Sequence, residues 1–303
     1  SFYFSLYKIR YLLTKIFLYD KIKTDYKKQR ILHMNYKLLV LDIDGTATNS
    51  KKEVTPKTKE AVIRLQEKGI PVAIASGRPT PGVAPIAECF DFAKYGSYTL
   101  SYNGARITNW KTKECIYRKT LPLSLPKRLY QDACHFDTGI ITYTTEDTSI
   151  VCGRKVDSYI ELESKICQMP IQICDGDFPE VVSYPVTKCL LTGDPDELER
   201  IEPLIAAKYQ HEAAVFRSEP FYLEIMPKNI DKAYCLSKLL HILGISREEM
   251  VCCGDSYNDL TMIQYAGLGV AMANARECVK DVADFITLSN DEDGIAHVIE
   301  KFF

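Results

Sequence analysis

Four absences narrow the reading of this chain. No apolar run approaches the roughly 20 residues that a membrane-spanning helix needs. No C-x-x-C pair occurs, and the five histidines (His33, His135, His211, His241 and His297) are scattered singly, so the usual zinc and dithiol patterns are missing. Charge of one sign is missing too. The 38 Lys and Arg against 40 Asp and Glu leave a net charge of −2, too balanced to attract nucleic acid or a membrane surface on its own. There is also no fixed-period repeat or low-complexity tract, which excludes solenoid and fibrous architectures.

What remains has the composition of an ordinary globular protein: 303 residues, 46% hydrophobic and 26% charged. That length allows one large domain or two smaller ones, with a core that needs no covalent staples. The eleven cysteines, with Cys252 and Cys253 adjacent, read as reduced and mostly buried thiols, and so as a cytoplasmic protein. The near-neutral total hides an asymmetry. Residues 1–33 hold eight Lys and Arg against two Asp, and their apolar stretch is broken at Thr14 and Lys15. They match neither the apolar core nor the cleavage site of a signal peptide. The expectation is a basic extension outside the fold, ahead of Met34, with a basic surface helix as the alternative.

The fold class follows from the order of local patterns. "LLVLDI" (38–43) is a continuous apolar run suited to a strand covered on both faces. It is followed by a helix signature, with Thr55 as cap, Pro56 at the first position, Ala61, Val62 and Leu65 on one face and Gly69 as terminator. "IPVAIA" (70–75) is a second buried strand, and strand–helix–strand implies a parallel sheet. The C-terminal third repeats the pattern through a helix at 231–244, a capping box at 246–249 and the strand "MVCCGD". From about 118 to 219 the pattern changes to alternating strands and isolated helices. We therefore expect an α/β protein. A doubly wound Rossmann-like core (34–117 and 220–303) would carry an inserted α+β unit over 118–219. The single tryptophan, Trp110, is expected at the surface or a hinge.

Two strands of this core end in carboxylates. Residues i and i+2 of a strand share a face, so Asp42 and Asp44 can address one site at the sheet edge where ligands of open parallel sheets bind. Asp255 ends another strand, and Asp259 follows four residues later with Asn258 between them. Carboxylates converging on one edge repel unless a hard cation joins them, and oxygen donors of this kind suit Mg²⁺. "ASGRP" (75–79) adds the Ser76 hydroxyl, the backbone N–H of Gly77 and the charge of Arg78, while Lys232 opens a helix. A metal, a lysine, a hydroxyl and free N–H groups together describe a phosphoryl site.

The segments "DIDGT" (42–46), "ASGR" (75–78), "DK" (231–232) and "GDSYND" (254–259), in this order, resemble motifs one to four of the haloacid dehalogenase superfamily. The stretch from Leu41 to Pro79 resembles its Cof-type phosphatases with a type IIB cap, and "SYNGA" (101–105) and "GVAMANA" (269–275) resemble further landmarks. The resemblance runs from about residue 36 to the C-terminus. It implies that Asp42 attacks phosphorus to form an aspartyl-phosphate and that Asp44 acts as general acid and then base. It implies that Mg²⁺ is held by the Asp42 carboxylate, the Asp44 carbonyl and Asp255, with Asp259 as a further or supporting carboxylate. Ser76 and Lys232 would stabilise the phosphoryl oxygens. Thr46, Gly77, Arg78, Asn103, Asn258 and Asn274 are the candidate substrate contacts. The substrate would be a small phosphorylated metabolite, most simply a sugar phosphate, with neither nucleic acid nor membrane as partner. A phosphomutase on the same scaffold and a catalytically silent binding protein are the rival readings. The chain departs from the family pattern at Ala47 and Thr48 and at Ala233, which follows Lys232 where glycine is common. Asn229 can supply the left-handed turn before it.

Overall fold

A computed structural model describes residues 34–174 and 176–303. The basic extension expected over 1–33 lies outside the described residues. Five strands come from the first part of the chain: β1 (Leu38–Leu41), β2 (Val72–Ala75), β3 (Tyr98–Ser101), β4 (Arg106–Asn109) and β5 (Cys115–Arg118). Six follow in the middle: β6 (Gly139–Tyr143), β7 (Ile150–Cys152), β8 (Ile171–Ile173), β9 (Cys189–Thr192), β10 (Ala213–Glu219) and β11 (Tyr222–Pro227). The last three are β12 (Met250–Gly254), β13 (Leu268–Ala271) and β14 (Phe285–Ile286).

The first and last groups form one eight-stranded sheet in the order β14-β13-β12-β1-β2-β3-β4-β5. Pairing is parallel from β14 through β3 and antiparallel at the β3-β4-β5 edge. The fold is α/β with a Rossmann-like core. The central strands are buried along their whole length, as their unbroken apolar runs require. Cys252 and Cys253 belong to this core, and all eleven cysteines are free thiols, seven of them buried. Trp110 is a correction. It is buried in the same core, with the Lys113 ammonium 3.5 Å from its ring centroid.

Local signals hold where they were strongest. Helix α1 (Pro56–Glu67) has the Thr55 side chain accepting from the Thr58 N–H and Pro56 at its first position. Helix α2 (Thr80–Cys89) follows β2, and helix α3 (Ser158–Cys167) lies in the middle segment. Helix α4 (Lys232–Leu243) is capped by the Asp231 carboxylate and ends at Gly244 in the left-handed region. Asn229 takes the left-handed conformation expected of it (φ 55°).

The middle strands form a separate six-stranded sheet, β10-β11-β9-β6-β7-β8, antiparallel except where β7 meets β8. The boundary expected at residue 219 falls inside the β10–β11 hairpin. Tyr222–Pro227 pairs with both β10 and β9, so the second sheet runs on to Pro227. Strand alternation sorts its side chains onto two faces. Leu191, Leu223 and Ile225 enter one apolar cluster, while Ile141, Tyr143, Leu190, Tyr222 and Met226 enter another that also contains Tyr102 and Ala105 of the first unit. A buried ion pair, Arg106 with Asp147 at 2.8 Å, reinforces that junction, and the Tyr102 hydroxyl donates to the same carboxylate.

Candidate active site

The direction of the chain reverses beside β1. From β1 it steps outward through β2 and β3, and on its return it builds β12, β13 and β14 on the other side. In open parallel sheets such a switch point leaves a crevice beyond the strand ends. Asp42 lies just past β1 and Asp255 just past β12, so both carboxylates are delivered to this crevice by neighbouring strands. The Asp42 N–H continues the ladder to the Cys253 carbonyl at 3.1 Å, which fixes its backbone.

Lys232, fully buried at the start of α4, reaches into the same place. Its ammonium donates to Asp42 Oδ1 at 2.7 Å and to Asp259 Oδ1 at 2.5 Å. The other oxygen of Asp259 accepts from the Asp255 and Ser256 N–H groups at 2.9 and 3.0 Å. Asp259 is thus a brace, with both oxygens already engaged. Oxygens of Asp42, Asp255 and Asp259 lie within 4.8 Å of one another. Three carboxylates face one ammonium, so one positive charge cannot balance them. Burial and the Asp259 charge push the Asp42 carboxyl up to about 7, against the pull of Lys232. Asp255 is pushed up to about 6 by burial and the same neighbour, although Thr46 donates to it at 3.0 Å. Burial opposes the Lys232 charge, but the two carboxylates outweigh it and keep the ammonium protonated. This set of hard oxygen donors, short of positive charge, fits Mg²⁺.

Asp44 is treated differently. Arg78 grips it with two parallel bonds, Nε to Oδ2 at 3.0 Å and Nη2 to Oδ1 at 2.8 Å, and Lys52 donates to Oδ1 at 2.8 Å. Burial would raise this carboxyl, but the Lys52 hydrogen bond and the charges of Arg78 and Lys52 outweigh it and hold it below its ordinary value. Ser76 is buried at the end of β2 and accepts from the Arg78 N–H at 3.2 Å. A cavity of about 680 Å³ opens over these groups. Its floor includes Asp42, Asp44, Ser76 and Arg78, and its roof comes from the second sheet and α3, including Glu163, Lys188 and Glu224.

A family model described as haloacid dehalogenase-like hydrolase matches residues 39–299. The chain belongs to this family. "Putative phosphatase YxeH" of Bacillus subtilis is 32% identical to it over 267 residues, covering 88% of this chain and 98% of that protein. A haloacid dehalogenase-like hydrolase from Bacteroides thetaiotaomicron, solved by crystallography, is 46% identical with a TM-score of 0.84. It covers 88% of this chain and all of the other. The structure of the haloacid dehalogenase subclass IIB sugar phosphatase BT4131 superposes with a TM-score of 0.70 at 25% identity, over 88% of this chain and 98% of that one. The enzyme is a hydrolase of this phosphatase group.

In this haloacid dehalogenase-like hydrolase the remaining expected contacts divide. Gly77, Asn103 and Asn258 line the cavity, and Asn258 donates to Asn103 Oδ1 at 3.4 Å. Thr46 serves Asp255 rather than the cavity. Asn274 lies outside the cavity lining: its amide donates to the Gly45 carbonyl at 2.8 Å and its oxygen accepts from the Asn290 N–H at 2.9 Å, so it braces the Asp44 loop. Residues missed in the sequence include Lys52, Arg276 and the roof residues. No local motif marks them, because tertiary packing alone brings them to the site.

Gly45 has φ +80°, and a Cβ there would sit 2.5 Å from Asp255 Oδ2. Gly45→Ala is expected to cost about 1–3 kcal/mol through strain and the displaced carboxylate. Urea unfolding checks it, and a loss below about 0.5 kcal/mol would mean the loop relaxes freely.

Proposed function

We propose that this hydrolase is a Mg²⁺-dependent phosphatase of small phosphomonoesters, with sugar phosphates as the preferred class. One observation carries the reading: Asp42 and Asp255 meet at the switch point beside a single buried lysine that cannot neutralise them. Asp42 would attack phosphorus, forming a new P–O bond as the bond to the leaving alkoxide breaks. Asp44 would give the leaving oxygen its proton and then take one from the water that hydrolyses the aspartyl-phosphate. Lys232 holds the nucleophilic carboxylate in place, while Ser76 and the Gly77 N–H are near enough in sequence and fold to receive phosphoryl oxygens. Bound through Asp42, the Asp44 carbonyl and Asp255, Mg²⁺ would supply the positive charge that lets an anionic nucleophile meet an anionic substrate. Asp44 is held ionised here by Arg78 and Lys52, the state required for its base role. Its acid role requires that grip to be exchanged, and an incoming phosphate dianion competes for the same cations.

The unit from about residue 118, extended by β11, would act as the cap, excluding bulk water and contributing specificity. The 25% identity to a named sugar phosphatase supports the substrate class. The test is phosphate release from a panel of phosphomonoesters, with Mg²⁺ and with EDTA. Release that requires the metal is expected. A folded protein that binds Mg²⁺ yet releases phosphate from no compound would overturn the reading, and an isomerised sugar phosphate as product would replace it with a mutase.

A further inference from the structure

We propose that Asp147, at the tip of the β6–β7 hairpin, is a positioning residue for the reaction: through Tyr102 it holds the turn that seats Asn103 beside Ser76 and Gly77. The proposal rests on the phosphatase reading above. Hairpin tips ordinarily face solvent, yet this aspartate is only 5% exposed, because its carboxylate enters the first unit. There Oδ1 accepts from the Tyr102 hydroxyl at 2.7 Å and Oδ2 from Arg106 Nη1 at 2.8 Å. Arg106 and Arg118 both reach the neighbouring Thr145 carbonyl as well. A buried ion pair is a poor source of stability, since desolvation offsets much of the attraction. What this one supplies is a fixed geometry for the Tyr102 hydroxyl.

That geometry is imposed on a turn that would not hold it unaided. Tyr102, Asn103 and Gly104 follow one another at φ of 55°, 51° and 97°. Glycine takes the left-handed region freely, but a tyrosine and an asparagine in succession cost energy there, the bulky tyrosine most of all. The turn is also where segments of the site meet. The Asn103 N–H donates to the Ser76 carbonyl at 2.9 Å and the Tyr102 N–H to the Arg78 carbonyl at 3.0 Å. A Cβ on Gly104 would lie 2.6 Å from Cys235 Cβ and 2.8 Å from the Asp231 carbonyl oxygen, so the turn sits against the start of α4, which carries Lys232. The Asn103 side chain packs over Gly77, its Oδ1 3.1 Å from where a Cβ there would project. It lines the cavity, so its amide can donate to a phosphoryl oxygen. The Tyr102 ring turns the other way, into the apolar cluster of the second sheet, 5.5 Å from the Tyr143 ring between centroids. The inserted unit thus shapes the floor of the site as well as its roof. Without the bond to Asp147 the turn would relax toward ordinary φ and carry Asn103 away from the phosphoryl position.

The test measures kcat and KM with Mg²⁺ for a hexose 6-phosphate, p-nitrophenyl phosphate and acetyl phosphate, in wild type and Tyr102→Phe. These compounds share only the phosphoryl group, so a displaced Asn103 should lower kcat/KM about 10- to 100-fold for all of them alike, chiefly through kcat. Asn103→Ala should lose a similar factor. Tyr102→Phe added to it should cost less than about 3-fold more, because the two residues act as one unit. Asp147→Ala should repeat the loss, and it carries the test if Tyr102→Phe does not fold. Asp147→Asn, which still offers an oxygen to the hydroxyl, should recover most of it. A folded Tyr102→Phe that loses stability in urea but keeps kcat/KM within about 2-fold overturns the proposal while leaving the phosphatase reading intact. So does a loss confined to the hexose phosphate, which would put the effect in the roof, or one undiminished in the Asn103→Ala background. A wild type that releases phosphate from nothing overturns both.

Discussion

Asp42→Asn is expected to lower Mg²⁺-dependent phosphate release by about 10⁴-fold or more, because an amide cannot form the covalent phosphoryl intermediate. The same substitution is expected to stabilise the metal-free protein. Burial and Asp259 raise the Asp42 carboxyl from 3.8 to about 7 in the folded state. A group whose folded-state pKa is raised supports folding at low pH and loses that support as pH climbs through the folded value. At pH 8 in EDTA the wild type therefore carries a penalty on the order of a few kcal/mol that an asparagine does not. The difference should shrink as pH falls toward 4 and vanish only well below 3.8, where the carboxyl is protonated in both folded and unfolded chains. Saturating Mg²⁺ should narrow it at pH 8, since a cation favours the ionised carboxylate. Urea midpoints at pH 8 and pH 4, with EDTA and with Mg²⁺, check all of this. A variant less stable than wild type at pH 8 in EDTA would refute the charge-crowding account, whatever its activity.

Lys232→Met should act in the opposite sense on stability. The lysine is the only ammonium bonded to Asp42 and Asp259 among the described residues, and removing one member of such a buried group costs about 3–5 kcal/mol. Asp42 then loses that attraction, so its folded-state pKa rises further. The loss should be larger at pH 8 than at pH 5, and Mg²⁺ should recover part of it. Phosphate release is expected to fall about 10²- to 10³-fold, since the variant keeps its nucleophile but loses the group that orients it. A stability loss that does not change between pH 5 and 8 would mean that packing of the lysine stem, not its charge, supports the site.

The floor of the cavity and the lysine beneath it were legible in the sequence because these residues sit at the ends of strands and starts of helices, where local pattern is strongest. Asp42 and Asp255 follow apolar runs, Ser76 ends another, and Lys232 opens a capped helix. The roof was not legible. Lys188 and Glu224 are made neighbours by the β9–β11 pairing, and a charged residue in an alternating strand reads as solvent-facing until the other unit is seen to cover it. The same blindness misplaced the boundary at 219, since a hairpin crossing it has no composition change to announce it. Trp110 was missed because its strand edge is polar in sequence while its ring is buried by packing. Asn274 lay in the right landmark, but its two partners come from loops far apart in the chain.

The bond between Lys232 and Asp42 spans 190 residues of sequence. β1 is made long before its partner on one side, β12. Contacts so remote in sequence form late, after the costly closure of the intervening chain. A nascent chain on the ribosome therefore carries the Asp42 side chain through 190 residues of elongation before the lysine, and then the Asp255 loop, complete the site. The inserted sheet, whose strands are all contiguous in sequence, has the chance to fold first. Hydrolysis then begins only once β12 and the Asp255 loop have docked beside β1, so chains truncated before β12 would stay inert.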